Sequence, residues 1–148
     1  MKNKKIRNFI IVIILLVLFT ISLILVLKEK HNSILLEIMP EIKYEELDNY
    51  LFDNNESIIY IGNNDIDKKF EKELKEYIIN NNINIIYMYV NNKNINNLKN
   101  DYSINNIYVP NIIIFKDKKI KDILYTNKSN LKLENVISFF KNNEVIKW

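Results

Sequence analysis

Hydrophobic positions along the chain form one long uninterrupted run followed by several short periodic segments. The run covers residues 9–27, contains no charged residue and includes only two polar side chains, Thr20 and Ser22. A helix of that length spans about 28 Å, close to the roughly 30 Å hydrocarbon core of a bilayer. The run therefore predicts one transmembrane helix.

Shorter apolar segments after this run alternate between the periods of strands and helices. Four runs rich in β-branched and aromatic residues indicate strands at residues 57–61, 83–90, 111–115 and 120–125. Segments with apolar side chains three or four residues apart indicate helices at residues 44–52, 65–80, 94–101 and 132–143. The helix at 65–80 has the clearest pattern, with Phe70, Leu74 and Ile78 on one face, and we expect the charged residues between them, including Glu71, to face solvent.

The order of these segments predicts an α/β fold. Two strands joined through a helix should run parallel with a right-handed crossover, whereas strands joined by the tight turn at 116–119 should run antiparallel. A mixed four-stranded sheet with helices on both faces is expected. The chain is accordingly divided into a basic stub with its anchor at 1–30, a juxtamembrane linker at 31–41 and one domain at 42–148.

Charge sets the expected orientation of the anchor. Four basic residues, Lys2, Lys4, Lys5 and Arg7, precede it, and the positive-inside rule keeps that end in the cytoplasm and the domain outside the cytoplasm. A cleaved signal peptide is the competing interpretation. The apolar run is longer than the usual 7–15 residues of such peptides, and no small-x-small cleavage site follows it. We therefore expect a single-pass cell-membrane protein.

The charge that remains after the anchor argues against nucleic acid as a partner. The first thirty positions have six basic side chains and one acidic one, whereas the rest of the chain has 15 basic and 17 acidic side chains, so the formal net charge of +3 is due to the first thirty positions. Binding to nucleic acid depends on concentrated lysine and arginine, which this domain does not have.

Composition excludes several kinds of chemistry. The chain has no cysteine, so disulfides, thiolate catalysis and cysteine-bound metals are impossible, and its one histidine, His31, lies beside the predicted anchor. Neighbouring acids such as Asp65 with Asp67 are a conceivable acid–base pair. Adjacent acids are expected on solvated faces of a chain with 26% charged residues, and the single glycine excludes a glycine-rich phosphate loop. No cofactor, no metal and no enzymatic activity are expected.

Two local patterns resemble the thioredoxin family across about residues 42–143. The first is the strand, loop and helix SIIYIGNNDIDKKFEKEL at 57–74, in which the two positions of the family's Cys-x-x-Cys motif are occupied by Asn64 and Asp67. The second is YSINNIYVPNIIIFKDKKI at 102–120, in which Pro110 takes the place of the family's cis-proline before a strand and a charged hairpin. An anchor followed by such a domain also resembles thioredoxin-like bacteriocin transport accessory proteins of the bacterial cell envelope.

The resemblance implies a fold without the family's redox activity, because neither asparagine nor aspartate can attack a disulfide. It also implies a groove in which an extended peptide of a protein partner pairs with backbone beside the proline. The residues that would form this groove are Asn63, Asn64, Ile66, Asp67, Tyr108, Val109 and Pro110. Two alternatives stay open. Either Asp65 and Asp67 are plain helix caps and Tyr108 packs within an ordinary loop, or the whole domain is a spacer in an envelope or transport complex.

Overall fold

The computed structural model describes residues 11–22, 33–63, 66–124 and 131–146. The chain divides into two compact units, Met1–Asn32 and Ser33–Trp148. In the first unit, residues 11–22 are helical and their side chains are exposed. None of the helices within the described ranges is both long enough and apolar enough to span a bilayer. Both ends of the anchor predicted at 9–27 lie outside the described residues.

The second unit is built on a mixed sheet. Its strands are β1 (Glu41–Ile42), β2 (Glu56–Gly62), β3 (Ile86–Tyr89), β4 (Asn111–Lys116) and β5 (Lys119–Ile123), in the spatial order β1-β3-β2-β4-β5. β1 and β2 run parallel to β3, whereas β4 runs antiparallel to both β2 and β5. The predicted parallel pairing through a helix and the antiparallel hairpin are both confirmed.

The sheet has five strands, and the prediction of four was wrong. The additional strand, β1, pairs Glu41 and Ile42 with Tyr87 and Met88 of β3. The Pro40 carbonyl oxygen also accepts a hydrogen bond from the Tyr87 backbone N–H at 2.9 Å. Two residues are too few to show the alternation that identifies a strand, so the apolar pattern gave no sign of it.

Helices cover both faces of the sheet, as predicted. They are α1 (Leu47–Asp53), α2 (Lys68–Asn81), α3 (Asn92–Asp101) and α4 (Leu133–Asn142), and short 3₁₀ helices lie at Ile34–Glu37 and Tyr44–Glu46. α2 and α4 share one apolar core with the inward side chains of one face, among them Tyr60, Tyr87 and Ile112. α1 and α3 share a second core with the opposite face, including Ile59 and Ile113.

Most of the segment expected to be a linker at 31–41 belongs to the folded domain. Leu35 has no exposed surface and Met39 has 2%, and both pack in the core formed by α2 and α4. Leu35 belongs to the 3₁₀ helix at Ile34–Glu37, whose N-terminus Ser33 caps, and Met39 follows that helix by two residues. The Met39 backbone N–H donates to the Leu35 carbonyl oxygen at 2.8 Å, a turn that joins the two residues.

Glu71 does not face solvent, contrary to the expectation from the charge pattern of α2. Its side chain is only 2% exposed, next to Phe70 at 5%. The residues that cover it come from the same N-terminal segment, because its carboxylate accepts hydrogen bonds from Ser33 and Ile34. The burial of Glu71 and the folding of the supposed linker are therefore one structural feature.

Candidate functional site

The candidate site lies at the end of the sheet where β2 stops and its neighbour β4 starts. Ile61 of β2 is opposite Asn111 of β4 in the antiparallel register. Residues that follow β2 and residues that precede β4 consequently lie at this same end of the sheet. The two segments that the thioredoxin resemblance singled out, near residues 63–67 and 107–110, are thereby brought to the same end of the domain.

The first of these segments leads from Gly62 into α2. Asn63 and Ile66 are half-buried, Asp67 is exposed, and Asn64 lies outside the described residues together with Asp65. Asp67 is the N-cap of α2, and its carboxylate accepts a hydrogen bond from the Lys69 backbone N–H at 2.8 Å. A carboxylate at this position satisfies an otherwise unpaired N–H and favours the positive end of the helix dipole. The predicted capping role of Asp67 is confirmed.

The second segment presents a short stretch of irregular backbone. Val109 and Pro110 are half-buried, the Tyr108 side chain is 40% exposed, and the Val109–Pro110 peptide bond is cis. Residues 107–110 belong to no helix or strand, and none of the loop and turn backbone hydrogen bonds between described residues involves them. Val109 therefore has a backbone N–H and C=O that form no backbone pair within the described parts of the chain.

Asn111 belongs to this site but was not among the predicted residues. It directly follows Pro110, is 2% exposed, and its side-chain oxygen has no hydrogen-bond partner among the described residues. A buried amide oxygen without a partner is uncommon, because such a group loses its hydration without compensation. Sequence analysis missed Asn111 because asparagine is abundant in this chain. The only signal was its position, directly after a proline and at the first residue of a strand.

A shallow cavity of about 350 Å³ adjoins the site on the α2 side. It is lined by three apolar and five charged side chains: Phe70, Leu131, Leu133, Asp67, Lys69, Glu73, Lys132 and Glu134. A larger cavity, of about 370 Å³, lies around Ser57 at the opposite end of β2 and is lined by none of the predicted residues. Of the two, only the smaller cavity is lined by a residue of the predicted site, Asp67.

The described part of the site has no residues that could carry out thiol redox chemistry or hold a metal ion. The chain has no cysteine, so the thiol–disulfide exchange of thioredoxins is excluded. No group of three or more His, Asp or Glu side chains within the described ranges is arranged to hold a metal ion. What the site offers is backbone hydrogen-bonding groups, an exposed aromatic ring and a small cavity lined by both apolar and charged side chains.

Comparisons with solved structures agree with this geometry at the level of the fold. Thioredoxin f2 of Chlamydomonas reinhardtii superposes with a TM-score of 0.54 at 14% sequence identity, over 74% of this chain and 99% of that chain. Oxidised thioredoxin of Plasmodium falciparum matches with a TM-score of 0.46 at 12% identity, over 69% of this chain and 97% of that chain. No protein-family model and no curated protein matches the chain. The strand order, the helices on both faces and the likeness to thioredoxin f2 together give the domain a thioredoxin-like fold, without the cysteines of thioredoxins.

Proposed function

We propose that this protein is a membrane-anchored, redox-inactive thioredoxin-like domain that binds an extended peptide segment of a protein partner. The bound segment would pair with the backbone of Val109, as an added strand pairs with an exposed sheet edge. The observation that carries the proposal is the backbone of residues 107–110, which is outside all helices and strands and makes no backbone hydrogen bond among the described residues.

Side chains around Val109 support a peptide rather than a small polar ligand. Tyr108 is 40% exposed beside it, and tyrosine provides a large contact area at low cost in conformational entropy. The cavity beside Asp67 combines apolar side chains, Phe70, Leu131 and Leu133, with charged ones, so it suits a peptide side chain that has both apolar and polar parts. A peptide paired with Val109 could stack one side chain on Tyr108 and place another in this cavity.

The location belongs to the same proposal. The uncharged run at 9–27 is long enough to cross a bilayer, and the basic residues before it favour a cytoplasmic N-terminus. The domain then lies at the extracytoplasmic side, where a redox-inactive relative of thioredoxin would hold a partner instead of reducing it. The finer resemblance to bacteriocin transport accessory proteins stays a prediction, and a spacer subunit of an envelope complex is the alternative function.

Selection from a phage-displayed library of random peptides tests the proposal. The full chain in detergent micelles serves as bait, and the enriched peptide is synthesised with a fluorescent label for titration by fluorescence anisotropy. We expect Tyr108→Ala to weaken binding of this peptide by about tenfold or more, because exposed aromatic residues at the centre of an interface contribute most of its energy.

Phe52→Ala is the matched control, because Phe52 is an exposed aromatic residue, at 69%, on α1 rather than at the site. It should leave the affinity unchanged. If no peptide is enriched, or if the two alanine variants weaken binding equally, the peptide-binding proposal fails and the spacer function is favoured.

A further inference from the structure

Ser33 and Ile34 tie the first residues of the domain to a buried carboxylate on α2. The Ser33 hydroxyl donates to Glu71 Oε1 at 2.5 Å, and the Ile34 backbone N–H donates to Glu71 Oε2 at 3.2 Å. Lys75 of α2 also pairs with Glu37 of the 3₁₀ helix. Both carboxylate oxygens of Glu71 are thus bonded to a segment that is 37 or 38 residues earlier in the sequence.

Burial makes this attachment specific. Glu71 is 2% exposed, and removing a carboxylate from water is costly unless hydrogen bonds replace its hydration. The groups that supply these bonds are a hydroxyl and a backbone N–H rather than a cation, so Glu71 depends on the segment being in place. Conversely, Leu35 and Met39 reach the core only when this segment lies against α2.

Glu71 stands one turn into α2, close to one end of the site. Its backbone N–H donates to the carbonyl oxygen of Asp67, the N-cap residue that also lines the candidate groove, at 3.0 Å. A shift of Glu71 therefore moves the first turn of α2. Ser33, through Glu71, holds the α2 end of the segment that joins β2 to α2.

Tyr87 connects the same cluster to the β2 end of that segment. Its ring is fully buried and shares a core with Leu35, and its hydroxyl lies so close to Gly62 that a Cβ placed there would be 2.2 Å away. Burial raises the pKa of the Tyr87 hydroxyl, and the charge of Glu71 raises it further. Gly62 is the last residue of β2, directly before Asn63.

From these contacts we propose that the segment Ser33–Glu37 is a strap that holds both ends of the segment joining β2 to α2 in the candidate site, with Glu71 and Tyr87 as positioning residues. Released from Glu71, the strap would free the first turn of α2 and the end of β2 together. The importance of the strap for binding rests on the proposed function, whereas the coupling between the strap and the segment joining β2 to α2 can be measured without any peptide.

Hydrogen–deuterium exchange of the full chain in detergent micelles, read by mass spectrometry, tests the coupling in Glu71→Gln. Glutamine keeps the shape of the side chain but replaces one acceptor oxygen by a donor, so it cannot accept from both Ser33 and Ile34. We expect exchange to accelerate about tenfold or more in peptides that cover residues 33–39 and 61–71, with no change in β4, because a lost hydrogen bond to a charged group has an effect of that size.

Two further variants separate the strap from general stability. Glu76→Gln changes an exposed glutamate of the same helix and should leave every exchange rate unchanged. Ser33→Ala should reproduce the Glu71→Gln pattern with a smaller increase. If acceleration is confined to residues 33–39, or spreads equally into β4, the strap does not position the site and the proposal is overturned.

Peptide binding provides the second readout. With the peptide selected against the wild-type chain, Glu71→Gln should weaken the affinity by about tenfold if the loop is loosened to the expected extent. A wild-type affinity together with accelerated exchange at 61–71 would overturn the link to binding while leaving the exchange result in place. Failure to select any peptide would count against the proposed function alone, because the exchange measurement does not use one.

Discussion

The two faces of the sheet differ in where their side-chain hydrogen bonds lie. On the face covered by α2 and α4, Glu71, Tyr60 and Tyr87 are buried, and Glu71 accepts hydrogen bonds inside the protein. The strands of the face covered by α1 and α3 also bury two polar side chains, Ser57 and Asn111, but the side-chain hydrogen bonds of that face lie at its rim. There Tyr44 donates to Asp101, and Tyr102 donates to Asp48 at 2.6 Å, with both carboxylates exposed.

This difference determines how much each contact contributes. A buried polar group that loses its partner suffers the full cost of lost hydration, whereas an exposed one finds water instead. The face with Glu71 should therefore be sensitive to single changes, and the rim of the other face should be tolerant. The buried polar groups also occur where the N-terminal segment attaches, so they specify a contact that apolar packing alone would leave less precise.

The largest effect is expected for Glu71→Ala. It leaves the Ser33 hydroxyl and the Ile34 N–H without their acceptor and opens a cavity, and it should lower the free energy of unfolding by about 3 kcal/mol. Urea denaturation followed by circular dichroism measures this. Glu76→Ala on the same helix is the control and should stay within about 0.5 kcal/mol of wild type. Equal stabilities of the two variants would mean that the buried carboxylate contributes nothing specific.

Gly62→Ala should have the next largest effect, and overpacking should lower the free energy of unfolding by about 2 kcal/mol. The new Cβ would meet the Tyr87 hydroxyl at 2.2 Å and Tyr87 Cζ at 2.7 Å. Tyr87→Phe removes the nearer atom, so the double variant should lose less stability than the sum of the two single variants. Additive losses in this cycle would show that Tyr87 is not what requires a glycine at position 62.

Alkaline pH should destabilise the domain through its buried tyrosines. Burial raises the pKa of Tyr60 well above its usual 10.0, and the charge of Glu71 raises it further. The contribution of protonated Tyr60 to the free energy of unfolding is complete below about pH 10. It is lost as the pH rises from there towards the raised pKa of the folded state, because the tyrosine of the unfolded chain deprotonates first. Each such tyrosine should reduce the free energy of unfolding by up to about 1.4 kcal/mol per pH unit in that range.

Urea denaturation between pH 9 and pH 11.5 measures this slope in the wild type and in Tyr60→Phe. The variant should show a shallower slope than the wild type, because it has one fewer group that deprotonates in the unfolded chain only. Identical slopes would mean that Tyr60 does not differ in ionisation between the folded and unfolded states.

The smallest effects are expected at the rim. Tyr44→Phe and Tyr102→Phe each remove one hydrogen bond to an exposed aspartate and should cost less than about 1 kcal/mol. The same denaturation experiment measures them. A loss as large as that of Glu71→Ala would contradict the contrast between the two faces.

Sequence patterns predicted most of the sheet and helices, because their residues repeat over whole elements. The apolar runs that became β2 and β4 and the stripe of Phe70, Leu74 and Ile78 on α2 are of this kind. β1 was missed because two residues form no pattern, and the segment from Ser33 was mistaken for a linker because its apolar residues are few. Both depend on contacts with distant parts of the chain.

The candidate site was predicted in part. The resemblance to thioredoxins matched Pro110 to the family's cis-proline and left its isomer open, and the structure has a cis bond there. Helix chemistry identified Asp67 as a cap, which is confirmed. Glu71 could not be recognised, because its partner Ser33 is 38 residues away and a glutamate among lysines is typical of an exposed helix face. The resemblance implied that the backbone of Val109 is available for pairing, and it forms no backbone hydrogen bond within the described ranges. Residue patterns alone did not show this, since hydrogen bonding between loops depends on tertiary structure.

The backbone of Val109 provides the most direct test of the central claim, which is that this thioredoxin-like domain binds an extended peptide there. The measurement is the exchange rate of the Val109 backbone N–H by NMR, in the full chain labelled with ¹⁵N, with and without the selected peptide. We predict exchange at least about tenfold slower in the complex, because the peptide would accept a hydrogen bond from this N–H. An unchanged rate while the peptide is bound would contradict the claim.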